Sequence, residues 1–232
     1  FRDEAGYRRQ LIKSVDSFLP QMIIPIGNGL ALARFKEELR SYHPEITVCV
    51  DEEWKLSLLD SKVRFHRWAH SQGFNVPRTY ACPEYVTDIT KVVFKRDVSF
   101  GGHGVHFPLT AEALANLIGH QRTSEPYLIQ ELIEGEDYSV DAIRIGAEAF
   151  CSSYHCISSQ GMSGPSTRRR ITKNDEIESV AKAILDRLDF KGICGFDFRI
   201  DCSGKPFLLE CNPRFTGGSR PRLNQVSISP YC

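Results

Sequence analysis

The spacing of apolar and polar positions divides the chain into segments of helical and strand period. From Arg2 to Phe18, the residues Leu11, Ile12, Val15 and Phe18 recur at helical spacing, which predicts an amphipathic helix. The run Met22-Ile23-Ile24-Pro25-Ile26 then reads as a buried strand, closed by Gly27-Asn28-Gly29. A second helix is predicted from Leu30 to Tyr42 and a second strand from Ile46 to Val50. This alternation implies a parallel sheet with helical crossovers. It opens on a helix, so a preceding strand is expected to be missing.

Residues 52–74 read as one long helix ending at Gly73. The extended segment Asn75-Val76-Pro77-Arg78-Thr79 follows, a junction in which proline disfavours helix at the residue before it. Val92-Val93-Phe94-Lys95 is predicted as a strand that runs into Ser99-Phe100-Gly101-Gly102-His103-Gly104-Val105. A short helix from Ala111 to His120 and strands at 127–133, 138–145 and 148–157 come next. The polar stretch 158–170 holds Gly161, Gly164 and Pro165 and reads as a mobile loop. A helix from Asp175 to Leu188 leads into a terminal hairpin, 195–212. There is no internal repeat or low-complexity tract.

That hairpin is the most informative segment. A two-residue turn at Ser203-Gly204 places Asp197 directly opposite Glu210. Strict alternation then puts Phe196, Phe198, Ile200, Phe207, Leu209 and Cys211 on an apolar core face, with Asp197, Arg199, Asp201, Glu210 and Asn212 on the other. Opposed carboxylates repel. A divalent cation removes that repulsion, and Asp, Glu and Asn supply the hard oxygen ligands that Mg²⁺ prefers. A solvated polar face is the competing reading.

Composition narrows the setting. The chain is 41% hydrophobic and 25% charged, with 29 basic and 29 acidic residues, so no net charge advertises nucleic acid. Eight cysteines are scattered without a CxxC pair, which argues against structural zinc and for a reducing, cytoplasmic setting. There is no signal peptide and no apolar run of membrane-spanning length.

Neither GxxxxGK[ST] nor a complete GxGxxG is present. Instead a strand carrying a lysine enters a loop with three glycines, where backbone N–H groups can approach phosphate oxygens. The order Lys62, Lys95, glycine loop, Gln130-Glu131-Leu132-Ile133-Glu134-Gly135-Glu136-Asp137, Asp197, then Glu210-Cys211-Asn212-Pro213-Arg214 resembles the ATP-grasp family from about residue 20 to 218.

The resemblance implies an α/β, α+β-grasp fold: a partial preceding α/β domain at 1–75, a small subdomain at 76–128 and a large one at 129–232. It implies MgATP as cofactor, with one or two Mg²⁺ ions and Mn²⁺ as a substitute. Lys62 and Lys95 match the phosphate-binding lysines, and Gly101, Gly102 and Gly104 match the loop over the phosphates. Gln130, Glu131, Leu132 and Ile133 match the hinge that reads adenine, mostly through its backbone. Asp137 falls at the ribose position, Asp197, Glu210 and Asn212 match the metal trio, and Arg214 lies where an arginine meets the acyl substrate or its phosphate.

The expected chemistry is phosphoryl transfer to a carboxylate, giving an acyl phosphate that an amine attacks, with the 158–170 loop as lid. Small-molecule carboxylate and amine are the expected partners, with no nucleic acid and no membrane; a homo-oligomer is left open. A bicarbonate-phosphorylating enzyme of the carbamoyl-phosphate synthase or carboxylase type is the alternative, and a non-catalytic nucleotide-binding fragment is a third. Arg168-Arg169-Arg170 reads equally as a phosphate contact or a solvated turn. His66 and His70 read as surface histidines, His103 as a residue of the phosphate loop, Cys151 and Cys156 as strand-packing thiols, and Trp54 and Trp68 as core or interface residues. The tail 221–232 lacks a helical pattern and reads as trimmed.

Overall fold

The computed structural model describes residues 3–27, 29–99, 102–120, 125–159 and 166–214. Gly101, residues 160–165 of the expected lid, and the tail after Arg214 lie outside these residues.

Helix α1 (Glu4–Phe18) starts at Asp3, whose carboxylate accepts the Gly6 N–H at 2.7 Å. Strand β1 (Met22–Ile23), helix α2 (Leu30–Tyr42) and strand β2 (Thr47–Val48) follow, with β1 and β2 paired in parallel as the alternation predicts. Both strands are shorter than their apolar runs. Pro25 offers no N–H to a ladder. The predicted long helix at 52–74 is two helices, α3 (Glu53–Asp60) and α4 (Lys62–Ser71). Ser61 between them is extended, at φ −84° and ψ 115°, and its hydroxyl accepts the Arg64 N–H at 3.1 Å. The hydroxyl cap offers the backbone an alternative to continuing the helix.

Strands β3 (Val92–Arg96), β4 (Val105–His106) and β5 (Tyr127–Glu131) form an antiparallel sheet in the order β4-β3-β5, with helix α5 (Ala111–Gly119) beside it. Val92, Phe94, Leu114 and Ile129 make its core. Because residues alternate across a strand, Val93 and Lys95 point to the opposite face.

Strands β6 (Gly135–Ile145), β7 (Glu148–Ser159), β8 (Ser166–Thr172), β9 (Gly192–Asp201) and β10 (Pro206–Asn212) form an antiparallel sheet, order β10-β9-β6-β7-β8. Arg168 to Arg170 therefore belong to a strand, not to a loop, because β7 and β8 continue pairing to Ser159 and Ser166. Helix α6 (Asp175–Arg187) covers one face with Ile177, Ala181, Ile184 and Leu185, spaced for a single stripe. These residues share one core with Val140, Cys194, Phe196 and Phe198 and with Leu32, Leu56 and Phe65 of the first segments. The N-terminal helices thus pack on the large sheet.

The hairpin turn is longer than expected. Gly204 N–H bonds to Asp201 O at 2.9 Å and Asp201 N–H to Lys205 O at 3.0 Å, while the Asp201 carboxylate accepts from Ser203 and Lys205. The pairing starts with Pro206 opposite Ile200 and Leu208 opposite Phe198, then shifts through a bulge to Glu210 opposite Asp197. Leu208, and not Phe207 or Leu209, therefore lies on the core face with Cys211. One other expectation is corrected: His66 is buried, its Nε2 2.8 Å from Pro77 O. Of the two readings of Trp54, the core one is excluded, since it is 52% exposed with its indole N–H on Glu52.

Candidate functional site

Four segments bring charge to the cleft between the three-stranded sheet and the β9–β10 hairpin. Alternation puts Asp197 on the β9 face opposite its core residues Phe196 and Phe198, and the bulge sets Glu210 across from it. Asn212 Nδ2 bridges the two side chains, reaching Asp197 Oδ2 at 3.2 Å and Glu210 Oε1 at 3.3 Å. Burial and the neighbouring Glu210 push the Asp197 carboxyl up to about 8. Burial acts to raise Glu210 too, but Lys62 and Lys95 outweigh it and hold Glu210 below its ordinary value. The pair therefore shares a proton.

Lys62, at the first turn of α4, places Nζ 3.4 Å from Glu210 Oε2 and 3.0 Å from Ser99 O. Lys95 is buried at the same place from β3. Burial lowers its ammonium to about 8, opposed by Glu210 and reinforced by Lys62. The two lysines, far apart in sequence, thus converge on one carboxylate pair. The chain continues from Lys95 through Ser99 to the glycine segment, where Val105 N–H bonds to Gly102 O at 3.0 Å. A Cβ on Gly104 would stand 2.5 Å from Ser99 Oγ, so the loop folds too closely for a side chain there.

The expected hinge residues split between strand and connection. Gln130 and Glu131 end β5, while Leu132 and Ile133 link it to β6. Gln130 is fully buried, and the Glu131 carboxylate accepts the Arg78 N–H at 2.8 Å. Leu132 N–H bonds to Lys91 O. Asp137 is held by Arg199, with Nε and a terminal nitrogen each 2.7 Å from its Oδ1. Arg214 stands 3.7 Å from Asp60, beside Ser61-Lys62.

Sequence reasoning left the three arginines unresolved, and strand pairing separates them. Arg169 lies opposite Cys156 on β7, and it acts electrostatically on both Asp197 and Cys156. Its Nε and one terminal nitrogen are buried without a hydrogen-bond partner among the described residues. Buried donors without partners are rare in folded proteins, and an oxyanion suits a guanidinium fork. Ser139, opposite Asp197 on β6 and 3.8 Å from Cys156 Sγ, also lines this face. A parity count across β7 and β8 would have found Arg169 had the pairing been known.

Two opposed carboxylates that share a proton, with an amide beside them, suit a hard divalent cation that would displace the proton. Asn212 would turn its amide so that oxygen faces the cation, a rotation that hydrogen-bond assignment leaves free. No helix among the described residues is long and apolar enough to cross a membrane.

A family profile described as the ATP-grasp domain matches residues 59–218. No curated protein matches the chain. Among solved structures, the chain is similar to biotin carboxylase of Campylobacter jejuni, with a TM-score of 0.73 at 14% identity over 94% of this chain and 55% of that one. The biotin carboxylase domain of Hydrogenobacter thermophilus 2-oxoglutarate carboxylase, solved with MgADP, ADP and bicarbonate, gives 0.71 at 14% identity over 91% and 52%. D-alanyl-alanine synthetase A of Vibrio cholerae gives 0.62 at 12% identity over 83% and 67%. Identities this low establish the fold alone. The chain spans about half the length of the two carboxylase structures.

Proposed function

The chain belongs to the ATP-grasp family, and on that premise we propose that it binds MgATP in the cleft below Lys95 and activates a carboxylate as an acyl phosphate for attack by an amine. The carrying observation is the convergence of Lys62 and Lys95 on the Asp197–Glu210 pair. In this reading Lys62 exchanges Ser99 O for a phosphate oxygen, and Lys95 supplies a second, buried positive charge. Asp197, Glu210 and Asn212 hold Mg²⁺, which when bound neutralises charge on the transferring phosphoryl group. Arg169 and Arg214 hold the acceptor oxyanion through guanidinium N–H groups. Holding both reactants away from water lets the amine capture the acyl phosphate before hydrolysis does. The segments 1–75, 76–128 and 129–232 serve as preceding domain, small half and large half of this cleft.

The test is phosphate release from MgATP, screened over amino acids and small carboxylates with candidate amines. Turnover that needs both a carboxylate and an amine and is lost in Glu210→Gln supports the proposal. Turnover with bicarbonate alone would replace the ligase reading with a bicarbonate-phosphorylating one. ATP binding without phosphate release across every acceptor would reduce the chain to a nucleotide-binding module.

A further inference from the structure

Asp97 joins the two segments that carry the phosphate lysines. It follows β3, two residues after Lys95, and its carboxylate crosses to the first turn of α4. Oδ1 accepts the Val63 N–H and the Ser61 hydroxyl, both at 2.8 Å, and Oδ2 accepts the same hydroxyl at 3.0 Å. These two residues flank Lys62. The Ser61 hydroxyl already accepts from Arg64, so Asp97 closes a three-way junction at the start of the helix. Lys62 makes the return contact, donating to Ser99 O two residues beyond Asp97.

We propose that Asp97 is a positioning residue that fixes the spacing of Lys62 and Lys95 for a polyphosphate, an inference that rests on the MgATP reading. The reasoning is geometric. If Lys62 turns its ammonium to a phosphate oxygen, it gives up Ser99 O, and that tie between α4 and the loop is lost. The Asp97 contacts use the Ser61 hydroxyl and a backbone N–H, not the Lys62 side chain, so they persist through binding. They keep the helix start and the end of β3 in register while the lysine changes partner. An anionic carboxylate accepting an N–H and a hydroxyl at a helix N-terminus is favourably placed to do this.

The experiment measures ATP affinity and, where turnover is found, KM and kcat for ATP in the whole chain, with thermal melts as a check on folding. Asp97→Ala is expected to weaken ATP about tenfold, as KM rather than kcat, with an added loss close to nothing in a Lys62→Met background. Asp97→Asn retains an Oδ1 that can accept both groups and should restore most of the affinity. Ser61→Ala, which removes one of the two links, should fall between and serves if Asp97→Ala does not fold. Equal losses with and without Lys62, or no loss in Asp97→Ala and Ser61→Ala, would overturn the positioning role. Failure of the unmodified chain to bind ATP would instead sink the functional reading beneath it.

Discussion

Glu210 faces Asp197 because a bulge advances the β9–β10 register by one residue between Leu208 and Glu210. Carried straight on from the turn, the ladder would set Leu209 against Asp197 and turn Glu210 to the apolar face opposite Phe196. The bulge keeps Leu208 and Cys211 in the core while both carboxylates reach the cleft. Much of the site's expected behaviour follows from that opposition.

Cation binding should release protons. Asp197 is raised from 3.8 to about 8 by burial and by Glu210, so near pH 7 the pair holds a proton that a cation would expel. Titration calorimetry with MgATP in buffers of different ionisation enthalpy should show release approaching about one proton per site. Glu210→Gln should abolish it. A raised folded value also means that the cation-free protein loses stability as the pH climbs from about 4 towards 8. Mg²⁺ should flatten that slope in thermal melts, and an unchanged slope would contradict the metal assignment.

Nucleotide affinity should depend on the charge of Lys95. Burial lowers its ammonium from 10.5 to about 8 in the nucleotide-free protein. The folded state gives up this proton before the unfolded state does, so its contribution to stability improves as pH rises through that window. ATP binding has the opposite trend and should weaken above pH 8 by up to about tenfold per unit. Fluorescence or calorimetric binding curves check this, and Lys95→Met should bind weakly with that pH dependence gone.

Arg169 should govern the acceptor more than the nucleotide. Its two buried nitrogens, unpartnered among the described residues, offer charge-assisted hydrogen bonds of about 1.5–3 kcal/mol. Arg169→Met should raise the acceptor KM roughly tenfold to a hundredfold, with ATP affinity nearly unchanged. Arg169→Lys should rescue little, because an ammonium lacks the planar fork. Wild-type acceptor kinetics in Arg169→Met would remove this residue from the site.

Gly135 opens β6 where it runs against the end of β9. A Cβ there would stand 2.0 Å from Ile200 O, and backbone oxygen cannot move aside cheaply. Gly135→Ala is expected to cost on the order of 2–4 kcal/mol, read from denaturant unfolding. It should also disturb the adjacent Asp137–Arg199 pair. A loss below about 0.5 kcal/mol would show that the strand start relaxes freely.

Much of the fold was legible from periodicity. Helix α2 was bounded correctly because a 13-residue amphipathic stripe has one stable face, and the parallel β1–β2 pair followed from alternating elements. The break at Ser61 was not legible, since Lys62 to Ser71 continues a helical pattern. The cap there draws on Asp97, a residue 36 positions later along the chain. A pattern that looks only along the chain cannot weigh such a contact.

The candidate site divides in the same way. The sequence alone determined which residue types were present in which order, and strand alternation sufficed to set Asp197 on a polar face, whereas Glu210 joins it there only because the bulge interrupts alternation in β10. Tertiary structure decided everything that depends on distance between elements. It brought Lys62 within 3.4 Å of Glu210, tied Asp137 to Arg199 and left Arg169 with buried donors unmet by any described residue. The opposition of Asp197 and Glu210 was expected from a two-residue turn, but a longer turn and a compensating bulge produce it. Turn length and bulge are set by which side chains the core accepts, and that depends on α3 and α4, which pack against β10. Local period decides which way a residue points, and packing decides what it meets.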